Sequence, residues 1–126
     1  MSDIVPEYKD HLHLYTDGSK YEERAAYAVH CSYGTLSARS RNDSSIFTAE
    51  IEAIGLALRY IKISPRENKK VVIFCDSKSV LESIANQDSR NPLMIEVLDI
   101  LQDLYGKGFI IKFCWVPSHV GISGNE

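Results

Sequence analysis

The chain lacks the features that would place it in several large classes of protein. Its 126 residues carry 14 lysines and arginines against 17 aspartates and glutamates, a net charge of −3. An excess of positive charge is absent, which argues against binding nucleic acid by bulk charge alone. Cysteine is scarce: Cys31, Cys75 and Cys114 are the three, and none is in paired spacing with another. An odd, unpaired set argues against a disulfide framework, and without a Cys-x-x-Cys or Cys/His pair there is no structural zinc signal. Each cysteine sits inside an apolar, strand-like run and reads as a reduced core thiol, as expected of an intracellular protein of cytoplasm or nucleus. No apolar run reaches the ~20 residues of a membrane helix, so no membrane association is expected. Met1 to Asp10 is polar, without a signal-peptide core. No repeat, low-complexity tract or linker is found. What remains is ordinary for one domain with a real core: 44% hydrophobic and 25% charged residues.

Residues 1–9 read as a loose leader, with one domain over 10–126. His11 to Asp17 alternates around Leu12 and Leu14 as a strand, and Gly18-Ser19-Lys20 reads as its turn. Ala25 to Cys31 and Thr35 to Ser40 read as a hairpin about Ser32-Tyr33-Gly34. Thr48 to Ile63 has helical spacing, with Ile51, Ile54, Leu58 and Ile61 on one side and Pro65 as its end. Val71 to Cys75 is an uninterrupted apolar strand, as in the buried middle of a parallel sheet. Asp76 or Ser77 caps a helix through Asn86. Asn91-Pro92 opens another helix, stopped by Gly106 and Gly108. Ile110 to Trp115 is the last strand, with Trp115 as core or strand end, and Pro117 to Glu126 is a Gly/Ser-rich loop. The fold class is α/β: an antiparallel meander followed by right-handed crossovers onto a mixed sheet. The two most apolar strands, the first and fourth, belong side by side and parallel at its centre.

That arrangement brings Asp17 and Asp76 together, because adjacent parallel strands have their C-terminal ends on one side, where α/β sheets place their sites. Glu50 is the third acid. On the helical wheel it lies about 55° from the centre of the apolar stripe, whereas Glu52 lies about 145° away and is expected to face water. Each acid has an ordinary explanation by itself: Asp17 as a turn residue, Asp76 as a helix cap, Glu50 as the partner of a lysine or arginine or as a cap of its own helix. Convergence of all three on one place weakens each of these. Three carboxylates with no nearby basic run repel one another, and Mg²⁺ or Mn²⁺ relieves that repulsion through oxygen ligands. Two such ions ~4 Å apart activate water and stabilise the leaving oxygen of a phosphodiester.

Four strings in order carry a resemblance: Tyr15-Thr16-Asp17-Gly18-Ser19, Phe47-Thr48-Ala49-Glu50 with Ile54 after it, Phe74-Cys75-Asp76-Ser77, and Trp115-Val116-Pro117-Ser118-His119-Val120-Gly121-Ile122-Ser123-Gly124-Asn125-Glu126. With them the chain resembles ribonuclease H of type 1, most closely the ribonuclease H domains of non-LTR retrotransposon polyproteins. The resemblance implies a five-stranded mixed sheet in order 3-2-1-4-5, strand 2 antiparallel, flanked by helices. It implies metal-dependent cleavage of the RNA strand of an RNA/DNA hybrid. Asp17, Glu50 and Asp76 would be the metal carboxylates, holding two Mg²⁺ or Mn²⁺ ions. His119 would assist proton transfer or product release. The family's fourth metal aspartate and last helix would follow Glu126, so the domain is expected to be truncated there. Ile46 and Phe47 stand where cellular members place amides, and Gln87 to Pro92 is a short turn where some members carry a basic protrusion.

Hybrids are recognised by groove shape and 2′-hydroxyls. Gly18, Ser19 and Lys20, and Lys78 and Ser79 at the next helix start, are the candidate nucleic-acid contacts. The expected partners are the hybrid and a covalently linked reverse transcriptase domain, with the domain itself a monomer. A competing reading is a truncated or degenerate ribonuclease-H-like domain that binds or scaffolds with little catalysis. A polynucleotidyl transferase of integrase type fits less well, because the glutamate lies between the two aspartates on the first helix.

Overall fold

Strand-forming and helix-forming segments follow one another in the order the patterning predicts. The chain, seen in a computed structural model, is described over residues 10–21, 24–31, 34–40, 45–64 and 67–117. The strands are β1 (Leu12–Tyr21), β2 (Arg24–Cys31), β3 (Gly34–Arg39), β4 (Lys70–Cys75) and β5 (Ile110–Trp115), and the helices are α1 (Ile46–Ile63), α2 (Lys78–Ala85) and α3 (Pro92–Gly106). They form one five-stranded sheet in the order β3-β2-β1-β4-β5. β2 is antiparallel to β1 and β3, while β4 is parallel to β1 and β5. The expected topology, with β1 and β4 adjacent at the centre, is thus the observed one.

Alternation along the strands divides the sheet into two faces. Leu14, Val29, Val71, Ile73, Cys75 and Ile111 turn to the helices and join one core with Ile51, Ile54, Leu58 and Ile61 of α1 and Met94, Val97, Leu101 and Leu104 of α3. On the opposite face Tyr15 stacks on Phe74 with ring centroids 4.7 Å apart, and His13 meets the same ring edge-on. Local chemistry sets the helix starts. Ser45 Oγ accepts the Thr48 N–H, so α1 begins at Ile46, two residues before the expected Thr48. Ser77, rather than Asp76, caps α2 by accepting the Val80 N–H. Asn91 accepts the Leu93 N–H ahead of Pro92, and α3 ends where Gly108, at φ +93°, turns the chain into β5.

One expectation is corrected. Gly18-Ser19-Lys20 does not turn the first strand: β1 continues to Tyr21, with Gly18, Ser19 and Lys20 paired to Tyr27, Ala26 and Ala25 of β2. The glycine serves a close approach instead, described below. Residues 1–9, Pro65 and the string from Ser118 to Glu126, including His119, lie outside the described residues. Among the described helices none is long and apolar enough to cross a membrane.

Candidate active site

Parallel pairing of β1 with β4 runs from Leu12↔Val71 to Tyr15↔Phe74. Asp17 and Asp76 each lie two residues beyond that last pair, at the same end of neighbouring strands. Just before them the buried Thr16 hydroxyl donates to the Phe74 carbonyl at 3.2 Å, tying the two strands together at that end. α1 crosses this end of β1 with almost no clearance. A β-carbon at Gly18 would come within 2.8 Å of the Glu50 backbone nitrogen and 3.0 Å of the Ala49 carbonyl carbon. Only a residue without a side chain lets the first turns of α1 settle there.

That contact places Glu50. Its side chain faces inward with the core stripe and the residue is only 6% exposed. The Gly18 N–H donates to its carboxylate, and its charged neighbours are Asp76 and Asp17. Burial, then the charge of Asp76, then a proton shared between the two side chains, then the charge of Asp17, push the Glu50 pKa up to about 8; the Gly18 amide opposes them weakly. One oxygen of each acid, Glu50 Oε1 and Asp76 Oδ1, is buried without any hydrogen-bond partner. Buried polar oxygens left in this condition cost stability, and a cation that accepts both removes the cost.

The structure therefore brings Glu50 and Asp76 into contact and sets Asp17 beside them as an electrostatic neighbour. It also adds a residue that the sequence reading treated as core. Ligand atoms of Glu50, Cys75 and Asp76 lie within 4.8 Å of one another. Cys75 is fully buried on the α1 side of β4, and burial pushes its thiol up to about 11, against the Ser77 N–H that donates to its sulfur at 3.4 Å. Two signals pointed to it: it adjoins Asp76, and strand alternation puts it on the same face as Ile73, facing the helix that carries Glu50. Glu52 departs from expectation in the other direction. It is half-buried rather than facing water, because the Ser40 hydroxyl donates to its carboxylate.

Glu50 and Asp76 open into a cavity of about 520 Å³ lined also by Phe47, Ser77, Lys78 and Ser79. Lys78 stands at its rim, with its ammonium 4.8 Å from the centroid of the Trp115 ring. Trp115 is a strand end, as expected, but 44% exposed, and its ring carries that lysine. Ser19 and Lys20 are exposed farther along β1; Lys20 lies three residues, about 10 Å of strand, past Asp17. A cavity of similar size between α1 and α3 differs in kind, because its Glu96 is paired with Arg59 at 3.0 Å.

The donor set at the pocket, two carboxylates with unbonded oxygens and a third nearby, fits a hard divalent cation. Asp17, Glu50 and Asp76 would hold it.

Known proteins offer three comparisons. The Pol polyprotein of equine infectious anemia virus is 30% identical to the chain in strain Wyoming and 29% in isolate 1369, in each case over 127 aligned positions covering 98% of this chain. The chain spans only 10% of the length of those polyproteins. The crystal structure of RNase H1 from Halobacterium salinarum NRC-1 superposes with a TM-score of 0.62 over 86% of both chains, at 17% identity, a likeness of fold. The family model described as RNase H matches residues 9–126. With nearly its whole length matched and the sheet order in place, the chain belongs to the RNase H family.

Proposed function

We propose that this chain is a divalent-metal-dependent endonuclease that hydrolyses the RNA strand of RNA/DNA hybrids. Asp17, Glu50 and Asp76 are its metal ligands in this reading, with His119 as the group that moves a proton. The observation that carries it is the pair Glu50 and Asp76, buried against each other with one unbonded oxygen each. No structural need explains two such acids in contact, and an ion-binding need does.

Mg²⁺ or Mn²⁺, two ions in this proposal, supplies Lewis acidity at the phosphodiester and an activated water. The residues of the chain do the rest. Glu50 would hold the ion as a carboxylate and not as a carboxylic acid. Gly18 holds Glu50 at its depth by letting α1 approach. Lys78 draws a backbone phosphate to the rim of the cavity, and the Ser79 hydroxyl stands beside it at the start of α2. Gly18, Ser19 and Lys20 extend the contact along β1 toward the neighbouring part of the duplex. His119, as an imidazolium, gives a proton to the leaving oxygen as it departs. The hybrid is recognised by shape, which suits a protein with a net charge of −3 and little bulk attraction for nucleic acid. A covalently linked reverse transcriptase domain is the partner that makes the hybrid, and the domain itself acts as a monomer inside the cell.

Incubation with a hybrid labelled on its RNA strand and Mg²⁺ tests the proposal. RNA fragments are expected from the chain and none from Asp17→Asn. Intact RNA, or equal cutting by the variant, refutes it. Binding of hybrid without cutting would favour the scaffold reading.

A further inference from the structure

An all-oxygen site would discriminate strongly against thiophilic metals, but here a buried sulfur lies beside the two acids. Cys75 Sγ, Glu50 and Asp76 present ligand atoms within 4.8 Å of one another. In a tetrahedral site with a metal–sulfur bond of about 2.3 Å and metal–oxygen bonds of about 2.1 Å, sulfur and oxygen sit about 3.6 Å apart, so small side-chain movements complete the set. The acids are oriented for such an ion: Glu50 is 6% exposed, and its Oε1 and the Asp76 Oδ1 have no hydrogen-bond partner. The sulfur is oriented too. The Ser77 N–H donates to it at 3.4 Å, the kind of outer contact that fixes a ligating thiolate.

We propose that Cys75 makes this pocket a mixed sulfur–oxygen site, which binds a thiophilic divalent cation, Cd²⁺ or Zn²⁺, through Cys75 Sγ, Glu50 and Asp76 and thereby excludes the hard cation. As the sulfur–metal bond forms, the thiol proton passes to the buffer; nothing is oxidised or reduced. Three protein ligands leave one position for water. The other two thiols cannot substitute. Cys114 is paired with Phe74, so it lies on the opposite face of the sheet from Cys75. Cys31 lies three residues beyond Ala28, the partner of Asp17, toward the far end of β1. The sulfur-binding part stands on the geometry of the pocket alone. The exclusion of Mg²⁺ rests on the carboxylates being its ligands, as in the proposed function.

Cd²⁺ added to the protein without Mg²⁺ tests this by the ultraviolet charge-transfer band of a cadmium–thiolate bond. The band is expected in the native chain and in the double variant Cys31→Ser/Cys114→Ser, where Cys75 is the sole thiol. It is expected to vanish in Cys75→Ser, and Glu50→Gln should weaken Cd²⁺ binding about tenfold or more. Absence of the band from the double variant overturns the proposal without relying on how well Cys75→Ser folds. A band that survives Cys75→Ser overturns it as well. Excess Mg²⁺ should diminish the band, and a band indifferent to Mg²⁺ would place the sulfur site apart from the carboxylates. Because the readout is absorption, the proposal can stand where hybrid cleavage fails, and the reverse.

Discussion

Gly18 lies so near Glu50 that a β-carbon on the first would reach within 2.8 Å of the backbone nitrogen of the second. The contact is between a strand and a helix backbone, neither of which yields easily. Gly18→Ala should therefore push α1 outward and lift Glu50 from Asp76. We expect a loss of about 1–3 kcal/mol in stability, the usual cost of overpacking, measured by urea unfolding. Hybrid cleavage should fall more than stability does, at temperatures where the variant is folded. A variant with native stability and native cleavage would show that the approach is dispensable.

The pH dependence of the metal-free protein follows from Glu50. Its pKa is raised from 4.5 to about 8 on folding. Below 4.5 the acid is protonated folded or unfolded, and its contribution is fully present. As pH rises toward about 8, the unfolded chain ionises first and stability falls. The loss should be on the order of 1–2 kcal/mol after allowance for water reaching the pocket. Thermal melts in a chelator, between those pH values, should show the decline, and Glu50→Gln should flatten this part of the profile. Saturating Mg²⁺ should restore stability at the alkaline end.

Asp76→Asn separates folding from function. The amide removes one of two acids in contact, so without metal the melting temperature should rise by a few degrees, corresponding to about 1 kcal/mol. Calorimetry with Mg²⁺ should show binding weakened at least tenfold, and hybrid cleavage should be lost. A lower melting temperature in chelator would mean that Asp76 serves the fold in a way the carboxylate contact does not reveal.

Lys78 and Trp115 form a pair at the rim. If the ammonium meets a phosphate, Lys78→Ala weakens binding about equally for hybrids of any sequence and lowers the slope of log affinity against log salt by about 1. Trp115→Ala should do the same in part, since the ring only holds the lysine in place. Measurement of binding with a non-cleavable hybrid over a range of salt decides this. An unchanged slope in Lys78→Ala would remove it from the interface.

His119→Ala should slow turnover while calorimetric Mg²⁺ binding is retained, since the imidazole handles protons and the carboxylates hold the ion. Loss of Mg²⁺ binding would assign it a different role.

Much of this architecture was legible in residue order. The uninterrupted Val71–Cys75 run marked a central strand, and the 3.6-residue spacing of Ile51, Ile54, Leu58 and Ile61 turned Glu50 inward. Both readings rest on local periodicity, which one segment carries by itself. The errors came where the deciding neighbour is remote. Gly18 looked like a turn because glycine beside serine usually is one, but the residue that demands it, Glu50, is brought there by a helix. Cys75 is the core thiol its apolar neighbours announce; what they do not announce is that acids lie beside its sulfur, because these come from the next residue and from α1. The helical wheel turns Glu52 to water, yet Ser40, from the end of the hairpin, bonds it.

The sequence by itself determined the succession of strands and helices, the direction in which Glu50 points and the membership in the RNase H family, because these follow from patterns a few residues long and from strings in a fixed order. Only the tertiary structure decided how closely the acids meet, which of their oxygens lack partners and that a thiol lies among them. Those are distances between segments far apart in the chain, set by the packing of α1 on β1 and β4, and no local pattern encodes a distance across a core.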